Sequence, residues 1–213
     1  MMEIILLFNK FGARPIPHSA LTAWFKDLKN PNDKIHRMME EGKLIPVKRG
    51  LYFLNHELTG EKPSLILIGN HIYGPSYVSL DYALQHYQAI PEKVFSVTSV
   101  TPKISKVFET PFGRFDYYHV PLNYFKLGIQ QIAIMGNLNA LMAIPEKALL
   151  DKLVITKGVI LRSMKDATSY FIDDLRIDEE WLRGLDTSRI ETFRQVAPKA
   201  ASIEFLIQLI KKL

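Results

Sequence analysis

The stretch Lys43-Leu44-Ile45-Pro46-Val47-Lys48-Arg49-Gly50-Leu51-Tyr52-Phe53-Leu54 decides the fold of the N-terminal part of the chain. It holds two runs of residues that favour β-strands, with Lys-Arg-Gly between them. Two such runs around a short turn that contains glycine predict a β-hairpin. The segments before this hairpin determine which class of domain it completes.

Two amphipathic helices are predicted in the first 28 residues. Residues 4–11 carry apolar side chains at helical spacing, and Gly12 ends the pattern. The two prolines of Arg14-Pro15-Ile16-Pro17 then forbid a continuous helix and predict a stiff turn. Residues 19–28 follow with a second apolar helical stripe, made by Leu21, Trp24, Phe25 and Leu28.

A third helix is predicted directly before the hairpin, from residue 31 to residue 41. Asn30 stands at its N-cap, Pro31 at its first position and Gly42 where a left-handed C-terminal residue belongs. Three helices followed by a hairpin is the order of a winged helix-turn-helix. We therefore predict such a DNA-binding domain over residues 1–58.

The remainder, residues 59–213, is predicted to be a second domain of mixed helices and strands, which makes the fold class α+β. The polar stretch 57–63 contains Gly60 and Pro63 and predicts a linker. The predicted elements are helices over 64–72, 79–87 and 145–155, strands over 94–100, 106–110, 114–120, 129–134 and 138–143, and further helices to residue 213.

Composition excludes several classes of function. The 213 residues include no cysteine, so disulfides and cysteine-based metal sites are excluded. No apolar run approaches the roughly 18 residues that a membrane span needs. We therefore expect a cytoplasmic protein without a membrane partner.

The net charge of +5 is modest, and its placement matters more than its size. Residues 1–58 hold nine Lys or Arg against six Asp or Glu. Lys43, Lys48 and Arg49 follow Glu41 with no further acid nearby, which predicts a local positive edge at the hairpin.

The third helix and the hairpin supply the candidate DNA-binding residues. Ile35, Met38 and Met39 share the apolar face of the helix, which leaves an exposed N-terminal half. Arg and Asn in such a position can pair with guanine and adenine in the major groove, and lysine or arginine at the hairpin tip can contact phosphate. The alternative is a solvated helix face and a solubilising turn. The candidates are Asn32, Lys34, His36, Arg37, Lys43, Lys48 and Arg49.

No catalytic, cofactor or metal site is predicted. The histidines are scattered, with no HExxH, and neither GxSxG nor a phosphate-binding glycine loop occurs. Glu146 and Asp151 lie five residues apart on a helix and should diverge. One acidic group could hold a divalent ion, although carboxylates near helix N-termini are commonly solvated. Its members are Asp173, Asp174, Asp178, Glu179 and Glu180.

Several stretches resemble AbiEi-type antitoxins of AbiE abortive-infection systems. One is the hairpin, with its Gly-x-Leu entry at 42–44 and its Arg-Gly-x-Tyr exit at 49–52. The others are similar to the C-terminal domain of that family and cover residues 73–84, 90–94, 108–113 and 144–151. Together they extend over most of the chain.

This resemblance implies a two-domain antitoxin for phage defence. In such proteins the winged helix binds operator DNA and represses its own operon, while the C-terminal domain supports repression and neutralises a nucleotidyltransferase-like toxin. The pair is of type IV, so direct contact with the toxin is left open. The DNA-contacting role carries over by position onto Lys34, His36, Arg37, Lys48 and Arg49.

Three hypotheses result from the sequence. The first is an antitoxin that is also a transcriptional autorepressor, bound to its operator as a monomer or a dimer. The second is a protein-interaction module that docks a toxin or another partner without specific DNA binding. The third is a nucleic-acid-processing enzyme that uses the acids at 173–180.

Overall fold

A computed structural model describes residues 2–134 and 138–213, and the fold is α+β as predicted. The N-terminal part contains the predicted three helices and hairpin in the predicted order. Its elements are α1 (Met2–Phe11), β1 (Ile16–Pro17), α2 (His18–Trp24), α3 (Pro31–Glu40), β2 (Leu44–Lys48) and β3 (Leu51–Leu54).

Helix α3 forms as its apolar stripe and its ends predict. Ile35 and Met38 are buried, and Gly42 has a φ of +65°, the left-handed conformation that favours glycine. Asn30 does occupy the N-cap position, but its side chain makes no cap hydrogen bond. The cap interaction expected of Asn30 is therefore absent.

The first sheet contains one strand that the sequence did not predict. Its order is β1-β3-β2, and β1 lies in the segment predicted as a turn. Prolines are tolerated there because β1 is an edge strand, where an N–H can be missing. Helix α2 ends at Trp24 rather than at residue 28, and Phe25 to Asp27 form a turn.

The second part of the chain, from residue 56 onward, carries the larger sheet. Its elements are α4 (His56–Thr59), α5 (Leu65–Ile72), β4 (Tyr77–Val78), α6 (Leu80–His86), β5 (Val97–Thr101), β6 (Lys106–Thr110), β7 (Gly113–His119), α7 (Leu122–Phe125), β8 (Ile129–Ile134), β9 (Leu138–Ala143), α8 (Pro145–Ile155), α9 (Met164–Thr168), a π-helix (Ser169–Asp174), α10 (Glu179–Arg183), α11 (Thr187–Arg194) and α12 (Ala200–Lys212).

This sheet is mixed and has the order β6-β7-β5-β4-β9-β8. The hairpins β6–β7 and β8–β9 pair antiparallel, whereas β5 pairs with β7 and β4 pairs with β9 in parallel. Helix α5 packs against β4, β5 and β9, and α6 packs on α8. The linker predicted over 57–63 contains the short helix α4 in its first half.

Strand β3 lies between two hydrophobic cores. All four of its residues are buried. Tyr52 and Leu54 belong to the N-terminal core, which also contains Leu21 and Ile35, whereas Phe53 belongs to the core of the larger sheet. Successive side chains of a strand point to opposite faces, so β3 serves both cores at once.

Candidate nucleic-acid interface

The N-terminal half of α3 presents a polar surface. Asn32, His36 and Arg37 are exposed, and Lys34 is half-buried. His36 Nδ1 lies 3.3 Å from Glu40 Oε1, one turn further along the helix. The surface is therefore mixed in charge, and Arg37 is its exposed guanidinium group.

Asn32 is held by a residue of another helix. Its Oδ1 lies 3.1 Å from His18 Nε2, and the other ring nitrogen of His18 lies 3.3 Å from the Tyr52 hydroxyl. The amide is thus exposed but already has one partner. A pairing with adenine that uses both amide atoms would have to share Oδ1 with His18.

Lys43 forms an ion pair with Glu41. The hydrogen bond from Lys43 lowers the pKa of the Glu41 carboxyl below its ordinary value, so this carboxylate stays charged beside the lysine. The positive edge predicted after Glu41 is therefore partly neutralised at its first residue.

The position predicted for Lys48 is wrong in one respect. Lys48 is the last residue of β2, opposite Leu51, and the tip of the hairpin is Arg49-Gly50. Its Nζ donates to the carbonyl oxygen of Ile72 at 2.6 Å, which ties the hairpin to α5. The end of α5 offers an unpaired carbonyl oxygen, as helix C-termini do, and the lysine satisfies it. Arg49 is exposed at the tip, as predicted.

Two lysines that the sequence reasoning did not select extend the positive charge from the hairpin. Burial lowers the pKa of Lys48, and the nearby charges of Lys103 and Lys106 lower it further. Lys103 and Lys106 are both exposed on the segment that leads from β5 into β6. The signal in the sequence was a pair of lysines three residues apart, which only the packing of the hairpin on the larger sheet makes relevant.

Aromatic rings lie beneath these lysines. Lys103 Nζ donates to the Gly74 carbonyl oxygen at 2.6 Å and lies 5.3 Å from the centroid of the Tyr73 ring. Lys106 Nζ lies 4.9 Å from the centroid of the Phe108 ring. Such cation–π contacts orient the ammonium groups without neutralising them. We call Lys48, Arg49, Lys103 and Lys106 the basic edge.

The acidic group considered for a metal is split by the structure. Asp178 caps α10, accepting hydrogen bonds from the backbone N–H groups of Glu180 and Trp181 at 2.8 and 3.1 Å. Glu179 pairs with Arg183 at 3.5 Å. Within residues 2–134 and 138–213, no three His, Asp or Glu side chains lie close enough together to hold a metal ion. The described chain also has no helix of the length and apolarity that a bilayer crossing requires.

A buried ionic network lies on α8, where the sequence reasoning singled out Glu146 and Asp151. Lys147 and Asp151 form an ion pair with both side chains fully buried. Asp151 Oδ2 accepts from Ser79 Oγ at 2.6 Å, and Lys147 Nζ lies 2.6 Å from the Tyr77 hydroxyl. Burial lowers the pKa of Lys147, and the charge of Asp151 acts in the opposite direction. Both side chains are fully buried, so we expect that removing either one would destabilise the fold.

The fold and the basic edge define the chain as a mixed α/β protein with two sheets and a positively charged surface where they meet. No family model matches the sequence, and no curated protein matches it by sequence.

The fold is similar to that of a solved structure, "Crystal structure of RV2827C protein from Mycobacterium tuberculosis". The two share 11% sequence identity with a TM-score of 0.58, over 92% of this chain and 72% of the other. At this identity the likeness shows the fold alone, because unrelated functions share folds.

Proposed function

We propose that this chain is a DNA-binding transcriptional regulator, the antitoxin and autorepressor of a type IV toxin–antitoxin operon. The observation that carries the DNA-binding part is the basic edge, where Lys48 of the hairpin lies close enough to the charges of Lys103 and Lys106 for them to lower its pKa. Closely spaced cations that are not paired with carboxylates favour a polyanion such as DNA.

In this proposal residues 1–58 form a winged helix-turn-helix. The N-terminal half of α3 enters the major groove with Asn32, His36 and Arg37, and the basic edge contacts the phosphates beside it. Base contacts then select the operator, and phosphate contacts set the register of the protein on the duplex. This arrangement is supported by the exposed polar face of α3 and by Arg49, which is exposed at the tip of the hairpin.

The antitoxin part of the proposal rests on the resemblance of residues 42–52, 73–84 and 144–151 to AbiEi-type antitoxins. Such a protein acts in the cytoplasm, represses its own operon and opposes a nucleotidyltransferase-like toxin. A type IV pair requires no stable complex between the two. Neutralisation of the toxin by residues 59–213 is therefore tested by cell survival when both proteins are expressed, rather than by co-purification.

A binding titration tests the DNA-binding part. Purified protein is titrated against DNA from immediately upstream of its own gene at two salt concentrations, beside a scrambled competitor. We expect specific binding that weakens as salt rises, because each phosphate contact releases counterions. Equal binding to the scrambled DNA, or none, would refute the proposal.

A matched pair of variants tests the basic edge itself. Lys106→Ala should weaken binding to all sequences and reduce the slope of log K against log salt by roughly one. Lys165→Ala removes the same charge from an exposed position on α9 and should leave the slope unchanged. If the two variants had equal slopes, Lys106 would not contact the phosphates, and the DNA would bind to another surface.

One observation favours the second candidate function, a protein-interaction module. A cleft of about 550 Å³ between α2 and α3 is bordered by Trp24, Leu28 and Arg37. Trp24 and Leu28 are among the exposed large apolar side chains. Leu28→Ser should abolish function if this cleft docks a protein, whereas Arg49→Glu should abolish repression only if the chain binds DNA.

A further inference from the structure

His18 connects the two parts of the proposed DNA-binding surface. It is the first residue of α2 and is half-buried between the hairpin and α3. Its backbone N–H donates to the Gly50 carbonyl oxygen at 2.9 Å, within the hairpin turn. Its ring lies between the Tyr52 hydroxyl, 3.3 Å away, and Asn32 Oδ1, 3.1 Å away.

The partners of the ring determine where its protons lie. Asn32 Oδ1 can only accept a hydrogen bond, so His18 Nε2 must carry the proton that is donated to it. The Tyr52 hydroxyl can donate to Nδ1 of the neutral ring or accept from Nδ1 of the charged ring. The bond to Asn32 therefore holds in either charge state of His18.

We propose that His18 is a positioning residue that fixes the orientation of the Asn32 amide, with Oδ1 held toward α2 and the amino group Nδ2 left for the DNA. The inference rests on the proposed function, since it assumes that α3 meets base edges. It deepens that function by naming the kind of base atom that Asn32 contacts.

Fixing the amide has a consequence for base recognition. A freely rotating asparagine can exchange two hydrogen bonds with adenine, donating to N7 and accepting from the N6 amino group. In Asn32 one of the two lone pairs of Oδ1 is directed toward His18, whereas both N–H donors of the amino group are available. Such a group favours base acceptors, and guanine offers two of them, N7 and O6, on its major-groove edge. We therefore expect Asn32 to favour guanine over adenine at one position of the operator.

Four variants test the inference by selection of bound sequences from randomised DNA. His18→Phe keeps an aromatic ring at this position but removes both ring nitrogens and their hydrogen bonds. His18→Gln keeps a donor near the position of Nε2. Asn32→Ala identifies the base pair that Asn32 contacts. The double variant His18→Phe/Asn32→Ala measures whether the two residues act through one contact. Thermal unfolding of each variant shows that the fold is intact.

The expected result is a loss of roughly fivefold or more in preference for one base pair with His18→Phe, at the same base pair that Asn32→Ala affects. His18→Gln should restore the preference, and the double variant should match Asn32→Ala alone. A wild-type preference retained by His18→Phe, or an Asn32→Ala profile unchanged at every position, would overturn the inference while leaving DNA binding intact. An absence of specific binding by the wild-type protein would overturn the proposed function, and this inference with it.

Discussion

The ammonium group of Lys48 lies 2.6 Å from the carbonyl oxygen of Ile72, at the end of α5. Lys48 belongs to the hairpin and Ile72 to the larger sheet's layer of helices, so this hydrogen bond joins the two parts of the chain. We expect Lys48→Met to lower the free energy of unfolding by about 1 kcal/mol or less, since part of the lysine is exposed to solvent. The measurement is urea unfolding.

Arg49→Met is the matched control for Lys48, because Arg49 follows it in the chain and is exposed at the hairpin tip. It should change the free energy of unfolding by less than about 0.5 kcal/mol, as exposed substitutions usually do. If both variants unfolded at the same urea concentration as the wild type, the bond to Ile72 would contribute nothing to stability.

Lys147→Met should be strongly destabilising. It leaves the buried carboxylate of Asp151 without its cation, and breaking a buried pair in this way costs roughly 3–5 kcal/mol. Lys152, on the same helix, pairs with Asp81 near the surface, so Lys152→Met should cost roughly 1 kcal/mol at most. Equal losses in chemical denaturation would contradict the structural role assigned to Lys147.

Gly128 lies against the buried Lys147, which leaves no space for a side chain at position 128. Its φ is +64°, and a Cβ added there would lie 2.7 Å from the Cβ of Lys147. Gly128→Ala should therefore cost about 3 kcal/mol, from backbone strain and overpacking together. Gly158, with a φ of +78° and open space around it, is the control, and Gly158→Ala should show only the strain of about 1–2 kcal/mol. A smaller effect at Gly128 than at Gly158 would exclude the predicted clash.

Stability should fall as the pH rises above about 10, the ordinary pKa of tyrosine. Burial raises the pKa of seven tyrosines in the folded chain, so the folded state retains phenol protons that the unfolded state has released. The stabilisation is fully present below the unfolded pKa and is lost above it. Burial lowers the pKa of Lys48, Lys147 and Lys199, which act in the opposite direction, but these are three groups against seven. The tyrosines are Tyr77, Tyr82, Tyr87, Tyr117, Tyr118, Tyr124 and Tyr170.

Tyr117→Phe checks this alkaline effect. The Tyr117 hydroxyl donates to the Gly69 carbonyl oxygen at 2.5 Å, so its removal should cost about 1 kcal/mol at pH 8. Because one titrating group is gone, the decline between pH 8 and pH 11, measured by urea unfolding, should be shallower than in the wild type. A wild-type stability that stays level or rises over this interval would refute the prediction.

The sequence predicted those helices and strands whose formation depends on residues that are close together in the chain. Strands β8 and β9 have the predicted bounds. Helix α3 differs from its prediction by one residue at its C-terminus. Strand β1 was missed because a two-residue edge strand with a proline has too little pattern of its own and exists only by pairing with β3.

The candidate site was predicted less completely because its geometry depends on contacts between distant residues. Asn32, His36, Arg37 and Arg49 are exposed as their positions in the helix and turn imply. The bond from Lys48 to Ile72 spans 24 residues. Likewise, Lys147 and Asp151 show the i,i+4 spacing of an ordinary surface pair, and nothing local indicates that the larger sheet buries them.

Because β3 is buried on both of its faces, we expect the two hydrophobic cores to unfold together. Phe53 and Tyr52 are adjacent in one strand and anchor different cores, so unfolding either core withdraws support from the strand that the other requires. A fragment cut after residue 58 would leave the Phe53 ring uncovered. The stability of the N-terminal core is therefore coupled to that of the larger sheet through a strand of four residues.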